Sequence, residues 1–158
     1  MSKIPAIDFT LMFIKPDAIH FRKADAILSR SLASGFSIVA RKEALQLPLE
    51  FIERFYAEHV GKPFFEEHAK FLGEGYCSAY LLRINRPGNL PAPETYRLVV
   101  GNTDPKKAME GTLRQLFGTT LPRNAVHASD SVAAVKREAP FFFSSLELIQ
   151  CGAGDLIT

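Results

Sequence analysis

The sequence has no tryptophan and only two cysteines in 158 residues. Cys77 and Cys151 form neither a C-x-x-C pair nor a zinc-ligand spacing, so neither a disulfide framework nor a thiolate metal site underlies the fold. Two isolated thiols fit a reducing, cytoplasmic compartment. No apolar run approaches the roughly 18 residues of a membrane span. The N-terminal stretch MSKIPAIDF lacks an h-region and a cleavage site, which predicts no signal peptide and no membrane partner. There is no N-x-[ST] sequon. Charge of one sign is scarce too: a net +2 does not argue for nucleic acid as the main partner. Familiar site motifs are also missing. There is no P-loop and no G-x-S-x-G, and no RNP1-like run of an RNA-recognition module. The stretch Gly73-Glu74-Gly75 opens like a dinucleotide fingerprint, but Ser78 stands where the last glycine belongs. His20, His59, His68 and His127 show no ligand spacing, and no protein-held metal is expected.

What is present is an ordinary globular composition, 47% hydrophobic and 23% charged. A chain of this length reads as one domain, residues 1–158, with a sizeable core and no need of a metal or disulfide staple. The charge is unevenly spread. Between Arg97 and Arg137 seven Lys/Arg face three acids, a local +4, while the rest of the chain carries −2. That bias suits a small anionic ligand better than a long polyanion.

The apolar run Phe9–Ile14 reads as a buried strand ended by a turn at Lys15-Pro16-Asp17. Residues 24–32 carry helical spacing, stopped by Gly35 as a C′ glycine. Residues 36–45 alternate in part and predict a second strand. Pro48 opens a helix with Leu49, Ile52, Phe55 and Tyr56 on one face. Pro63 opens another, with Phe64, Phe65, His68 and Phe71, before Gly73. Residues 76–84 form a third strand, 85–93 a proline-rich loop and 94–100 a short helix. Residues 103–124 are long, basic and weakly periodic, and a loop of that length inside a domain is usually functional. Residues 125–128 predict a strand. Residues 129–131 offer N-caps to a helix over 132–138 that Pro140 should stop. About four strands interleaved with helices imply an α+β sandwich with helices on one sheet face.

One constellation carries chemistry. In Asn124-Ala125-Val126-His127-Ala128-Ser129-Asp130-Ser131 a histidine sits at a strand end just before a helix, a rigid place from which to present a nucleophile. This stretch resembles the N-x-x-H-[GA]-S-D signature of nucleoside-diphosphate kinases. The resemblance runs from about Thr10 to Leu148. It includes Ile14-Lys15-Pro16-Asp17, Phe55-Tyr56, Pro63-Phe64-Phe65, Arg97, Gly101-Asn102-Thr103-Asp104-Pro105, Gly111-Thr112-Leu113-Arg114, Glu138 and Phe142-Phe143.

The resemblance implies a ferredoxin-like βαββαβ sandwich with a four-stranded antiparallel sheet and helices packed on it. It also implies an enzyme that passes the γ-phosphate of a nucleoside triphosphate to a nucleoside diphosphate through phosphohistidine, with ping-pong kinetics and broad base specificity. His127 matches the nucleophile, Glu138 the carboxylate that anchors it, and Ser129 the neighbouring hydroxyl. Lys15, Arg97 and Arg114 match the phosphate-binding cations. Tyr56, Thr103 and Asn124 match the neutral donors, with Lys15 and Asn124 also near the ribose. Phe64 matches the aromatic that stacks on the base, and stacking tolerates any base. Mg²⁺ is implied as part of the nucleotide complex, and a homo-oligomer as the assembly.

This sequence departs from the family pattern at Ala18, at the turn Phe21-Arg22-Lys23, at Lys62, and over residues 86–93, where the family has a more compact connection. His68 stands where the family places an apolar neighbour of the base. A non-catalytic, nucleotide-binding or regulatory relative is the alternative, although none of the matched catalytic residues is lost. A single-stranded nucleic-acid binder is disfavoured by the weak net charge and the missing sheet aromatics.

Overall fold

A computed structural model describes residues 4–158, so the first three residues of the stretch read for a leader lie outside the described residues. The strands are β1 (Phe9–Ile14), β2 (Phe36–Leu45), β3 (Cys77–Ile84) and β4 (Val126–Ala128). The helices are α1 (Pro16–His20), α2 (Ala24–Ala33), α3 (Leu49–Phe55), α4 (Phe65–Glu74), α5 (Ala92–Val100), α6 (Leu113–Phe117), α7 (Val132–Phe142) and α8 (Ser145–Gln150). The sheet order is β2-β3-β1-β4 and every pairing is antiparallel. With α2 and α5 as the two crossovers, this is the ferredoxin-like βαββαβ order. No helix among the described residues is long and apolar enough to cross a membrane.

All six residues of β1 are buried, which suits the middle of a sheet covered on both sides. Alternation along β1 and β3 divides the core in two. Phe9, Leu11, Phe13, Ala79 and Leu81 face Ile52, Phe55, Phe65, Leu72, Val135, Ala139 and Phe142, which come from α3, α4 and α7. Met12, Ile14, Tyr80, Leu82 and Ile84 face Ala18, Ile27, Ala92, Tyr96 and Leu113, which come from α1, α2, α5 and α6. Helices therefore cover both faces, where the sequence reading expected one. The reason is legible in β1 itself: a strand without polar alternation needs cover on each side.

Other departures have local causes. Pro16 does not make a plain turn but occupies the first turn of α1, where a missing N–H costs nothing. Leu49 is exposed rather than on the buried face with Ile52 and Phe55, α4 starts at Phe65, and Gly73 lies inside it. Pro140 does not stop α7. It sits on the exposed side near the helix end, while Ala139, Phe142 and Phe143 are buried, and that burial outweighs the lost backbone bond. The segment 103–124 folds a short 3-10 turn at Pro105–Lys107 and then α6. α5 begins at Ala92 instead of 94, with Ala92 and Pro93 buried. α8 was not foreseen, although its Ser144–Glu147 capping box is present in the sequence. At the altered turn, Arg22 holds a left-handed φ of 57°, a conformation glycine adopts at lower cost.

Candidate active site

β4 stops at Ala128 beside the centre of the sheet, and its pairing puts His127 opposite Phe13. The imidazole stacks on Phe13 with ring centroids 4.9 Å apart and meets the edge of Phe55 at 5.2 Å. Two aromatic walls thus fix the plane of the ring. Its two nitrogens face different worlds. Nε2 lies 2.9 Å from Oε2 of Glu138, and the Ser129 hydroxyl donates to the same oxygen at 2.6 Å. Burial by itself would raise the Glu138 carboxyl. The hydrogen bonds and charge of His127, the hydroxyl of Ser129 and the guanidinium of Arg137 outweigh it and hold the group below its ordinary range. An ionised carboxylate only accepts, so the imidazole proton belongs on Nε2 and the lone pair on Nδ1. Nδ1 faces the Tyr56 hydroxyl at 3.5 Å. Burial raises Tyr56 well above the ordinary phenol range, so it remains a neutral donor.

The carboxylate is held by α7. The Ser131 side chain caps that helix by accepting from the Ala134 N–H at 3.1 Å, worth about 1 kcal/mol, and Glu138 follows two turns later. Before β4 the chain is strained. Ala125 is fully buried with a φ of 72°, a left-handed conformation costing on the order of 1–2 kcal/mol. Its N–H donates to Asp17 Oδ2 at 3.0 Å and its carbonyl accepts from the Lys15 N–H at 2.8 Å. The strand expected over 125–128 therefore starts one residue later. The strained residue pins the approach to His127 onto the start of α1.

The cations converge from three elements. Lys15, at the start of α1, donates to Asn124 Oδ1 at 2.9 Å, and Asn124 Nδ2 donates to the Thr103 carbonyl at 2.9 Å. Arg114 on α6 is 5% exposed and donates to the carbonyls of Gly101 and Val126 at 3.2 and 3.1 Å. Gly101 has a φ of 88°, and a Cβ there would collide with the Thr112 side chain. Only glycine lets that carbonyl meet Arg114. Burial, and then the neighbouring Arg114 charge, push Lys15 down to about 7. Burial and the Arg97 charge push Arg114 down to about 10. None of Lys15, Arg97 and Arg114 has a carboxylate within ion-pair distance among the described residues. Lys15 and Arg114 are thus buried without an ion pair among the described residues, with the more distant Asp17 charge favouring Lys15, and an anionic ligand would relieve that cost.

These groups open onto one cavity of about 860 Å³, large enough for a nucleotide. Its wall includes Lys15, Tyr56, Phe64, Arg97, Thr103, Arg114, Asn124, His127 and Glu138. Of the residues singled out from the sequence, Ser129 alone stands behind this wall, on the far side of Glu138. Phe64 is 55% exposed at the cavity edge, with the His59 ring against it at 5.6 Å. The sequence reading assigned no role to His68, one helical turn from Phe64 on the same wall, whose ring meets Tyr56 edge-on at 5.1 Å. It missed Asp17 and Arg137 altogether. Asp17 is a member of the Lys15-Pro16-Asp17 run, which was the available signal. Arg137 precedes Glu138 and nothing local marked it. Among the described residues no group of three His, Cys, Asp or Glu side chains is placed to hold a metal.

Comparison with known proteins gives the arrangement a family context. The family model for nucleoside diphosphate kinase matches residues 8–148. The nucleoside diphosphate kinase of Persephonella marina is 38% identical over 145 residues, 92% of this chain and 99% of that protein. That of Sorangium cellulosum is 39% identical over 143 residues, 90% and 95% of the two chains. The crystal structure of the Aquifex aeolicus nucleoside diphosphate kinase superposes with a TM-score of 0.80 at 34% identity, covering 89% of this chain and 97% of that one.

Proposed function

The chain belongs to the nucleoside diphosphate kinase family, and from that membership we propose that His127 is the residue through which it transfers phosphate. The family activity moves the γ-phosphoryl group of a nucleoside triphosphate to a nucleoside diphosphate. The observation that carries the reading is the His127 imidazole, anchored through Nε2 on Glu138 and turned with Nδ1 toward a cavity walled by unpaired cations.

The chemistry follows from these positions. The Nδ1 lone pair attacks the γ-phosphorus in line with the bridging oxygen. The P–O bond to the diphosphate breaks as the N–P bond forms, and its electrons leave on the departing diphosphate. The ring becomes cationic, and the Glu138 carboxylate, kept ionised by its own hydrogen bonds, stabilises that charge through Nε2–H. Arg114 and Lys15 are held by hydrogen bonds before substrate arrives and Arg97 lines the same cavity, so the three groups are placed to oppose the phosphoryl charge. Tyr56 supplies a neutral donor beside Nδ1. A second diphosphate at the same site reverses the step. A Mg²⁺ ion, when bound, would be held by the nucleotide phosphates and water and would supply neutralisation of their charge. The base rests against Phe64, which supports broad base specificity.

Residues 1–158 constitute one such domain. A cytoplasmic enzyme is supported by the two free thiols. A homo-oligomer is supported by β2, a ten-residue edge strand whose outer ladder is open to pairing.

The test is incubation with γ-labelled ATP and Mg²⁺ in the absence of acceptor. The label is expected to be acid-labile, to map to His127 and to leave on addition of any nucleoside diphosphate. His127→Ala should abolish labelling and turnover while nucleotide binding persists. A protein that binds ATP but acquires no label belongs instead with non-catalytic relatives.

A further inference from the structure

Arg137 lies outside every motif considered so far, yet its guanidinium joins two walls of the cavity. One arm, Nη1, donates to the backbone carbonyl of Phe55 at 3.0 Å. The other, Nη2, donates to Oε1 of Glu138 at 3.0 Å. Phe55 is the last residue of α3, where carbonyls lack helical partners and attract cations. The next residue is Tyr56, whose hydroxyl faces His127 Nδ1. The other oxygen of Glu138 holds His127 Nε2. The contacts close a ring from Nε2 through Glu138, Arg137 and the end of α3 to Tyr56 and back to Nδ1. The groups addressing the two imidazole nitrogens sit on different helices, α7 and α3, and one side chain sets their separation.

We propose that Arg137 is a positioning residue for phosphoryl transfer: its fork locks the Glu138 rotamer and holds the end of α3, and with it Tyr56, in register with the imidazole. The inference rests on His127 being the nucleophile. A guanidinium suits the task because two parallel donors in one rigid plane can bridge a carboxylate and a carbonyl at once. A lysine offers one point of contact. The side chain is 47% exposed, so truncation leaves no buried hole and no stranded cation. Its loss should show in the rate of the chemical step, because a misplacement of less than an ångström at the reacting atoms is enough to slow it.

The experiment compares wild type with Arg137→Met, Arg137→Lys and Arg137→Ala, after circular dichroism and thermal melting establish which variants are folded. Rapid-quench labelling with γ-labelled ATP measures formation of the His127 phosphoenzyme, and calorimetry measures ADP affinity. For Arg137→Met we expect phosphoenzyme formation to slow about tenfold or more, with ADP affinity within about twofold of wild type, since both arms are already engaged by the Phe55 carbonyl and the Glu138 carboxylate. Arg137→Lys should recover part of the rate. Millimolar guanidinium should restore part of the rate to Arg137→Ala, and ammonium should restore less. Wild-type labelling speed in a folded Arg137→Met overturns the proposal. So does a loss of ADP affinity equal to the loss of rate, which would make Arg137 a substrate contact. A wild-type protein that never labels at His127 refutes the underlying nucleophile reading, whatever the variants do.

Discussion

Ser129 and His127 share one oxygen of Glu138, at 2.6 and 2.9 Å. The serine hydroxyl therefore bears on the nucleophile without touching it. Because Oε2 already accepts from Ser129, its charge is aimed at Nε2, and the tautomer that frees Nδ1 is favoured. Glu138→Gln keeps the shape but can present an N–H to the ring, which selects the wrong tautomer. Phosphoenzyme formation should slow by roughly 10²-fold or more. Ser129→Ala keeps both the carboxylate and its contact with Nε2, so it should cost less, about tenfold. Single-turnover rates of the two variants test this ordering, and a Ser129→Ala loss larger than that of Glu138→Gln would reverse the argument.

Lys15 is a buried ammonium that its surroundings disfavour, chiefly through burial and then the Arg114 charge. Its pKa in the fold, about 7, lies below the 10.5 of the unfolded chain. Between those values the unfolded chain binds more protons, so stability from this group rises with pH across that window, and the full penalty applies below pH 7. Lys15→Met should stabilise the nucleotide-free protein by on the order of 2 kcal/mol at pH 6 and by less at pH 9, since part of the gain is lost with the Asn124 contact. Urea titrations at the two pH values measure this. Nucleotide phosphates favour the ammonium form, so binding at pH 8 should take up as much as one proton. Calorimetry in two buffers of different ionisation heat reads that uptake, and proton release instead would contradict the assignment.

The sequence showed more of the site than of the scaffold around it. His127, Glu138 and the three cations were singled out by a resemblance to family motifs rather than by any local pattern, and the structure gathers them on one cavity. The strands were readable because β1 and β3 are apolar runs bounded by Pro, Gly or Asn. What escaped depends on distant contacts. The continuation of α7 past Pro140 depends on Phe142 and Phe143 entering a core built by α3 and β1. The left-handed Ala125 depends on Asp17, 108 positions earlier. Arg137 acts through a carbonyl 82 residues away. No local pattern encodes such partners.

The proline-rich connection should be dispensable for chemistry. It leaves β3 at Ile84, beside Phe36 and near the Phe9 end of β1, whereas His127 pairs with Phe13 near the other end. Its limits are firm. Asn85 donates from its N–H to Gly35 and accepts from Ser37, and Ala92 and Pro93 are buried in the first turn of α5. A deletion should therefore be confined to Pro87–Asn89, and trimming as far as Pro93 should destabilise α5. Removing the three residues is expected to leave kcat/KM within about twofold, and any change should appear in the oligomer by light scattering. A folded deletion protein that has lost phosphotransfer would connect this loop to the site.

Base selection should be governed by stacking. Phe64 is the exposed aromatic of the cavity, and every base offers a π-face. Phe64→Ala should raise KM by roughly 5- to 100-fold, the value of about 1–3 kcal/mol per stacked base, and by similar factors for purine and pyrimidine diphosphates. His59 lies against Phe64 with ring centroids 5.6 Å apart, and His68, one turn into α4, lines the same cavity. Burial, with Lys15, His127 and His59 nearby, pushes His68 down to about 3, so it lines the cavity as a neutral imidazole at every pH where the enzyme works. A neutral imidazole has one donor and one acceptor nitrogen, and its tautomer can answer either kind of base edge. It therefore adds little discrimination. In wild type the four common diphosphates should show kcat/KM values within about two orders of magnitude, or 3 kcal/mol. His68→Leu should change the purine-to-pyrimidine ratio by less than about tenfold, with no new step in the pH profile between 5 and 8. A preference for one base far beyond a hundredfold in wild type, abolished by His68→Leu, would mean that the imidazole reads the base edge and that stacking does not set the specificity.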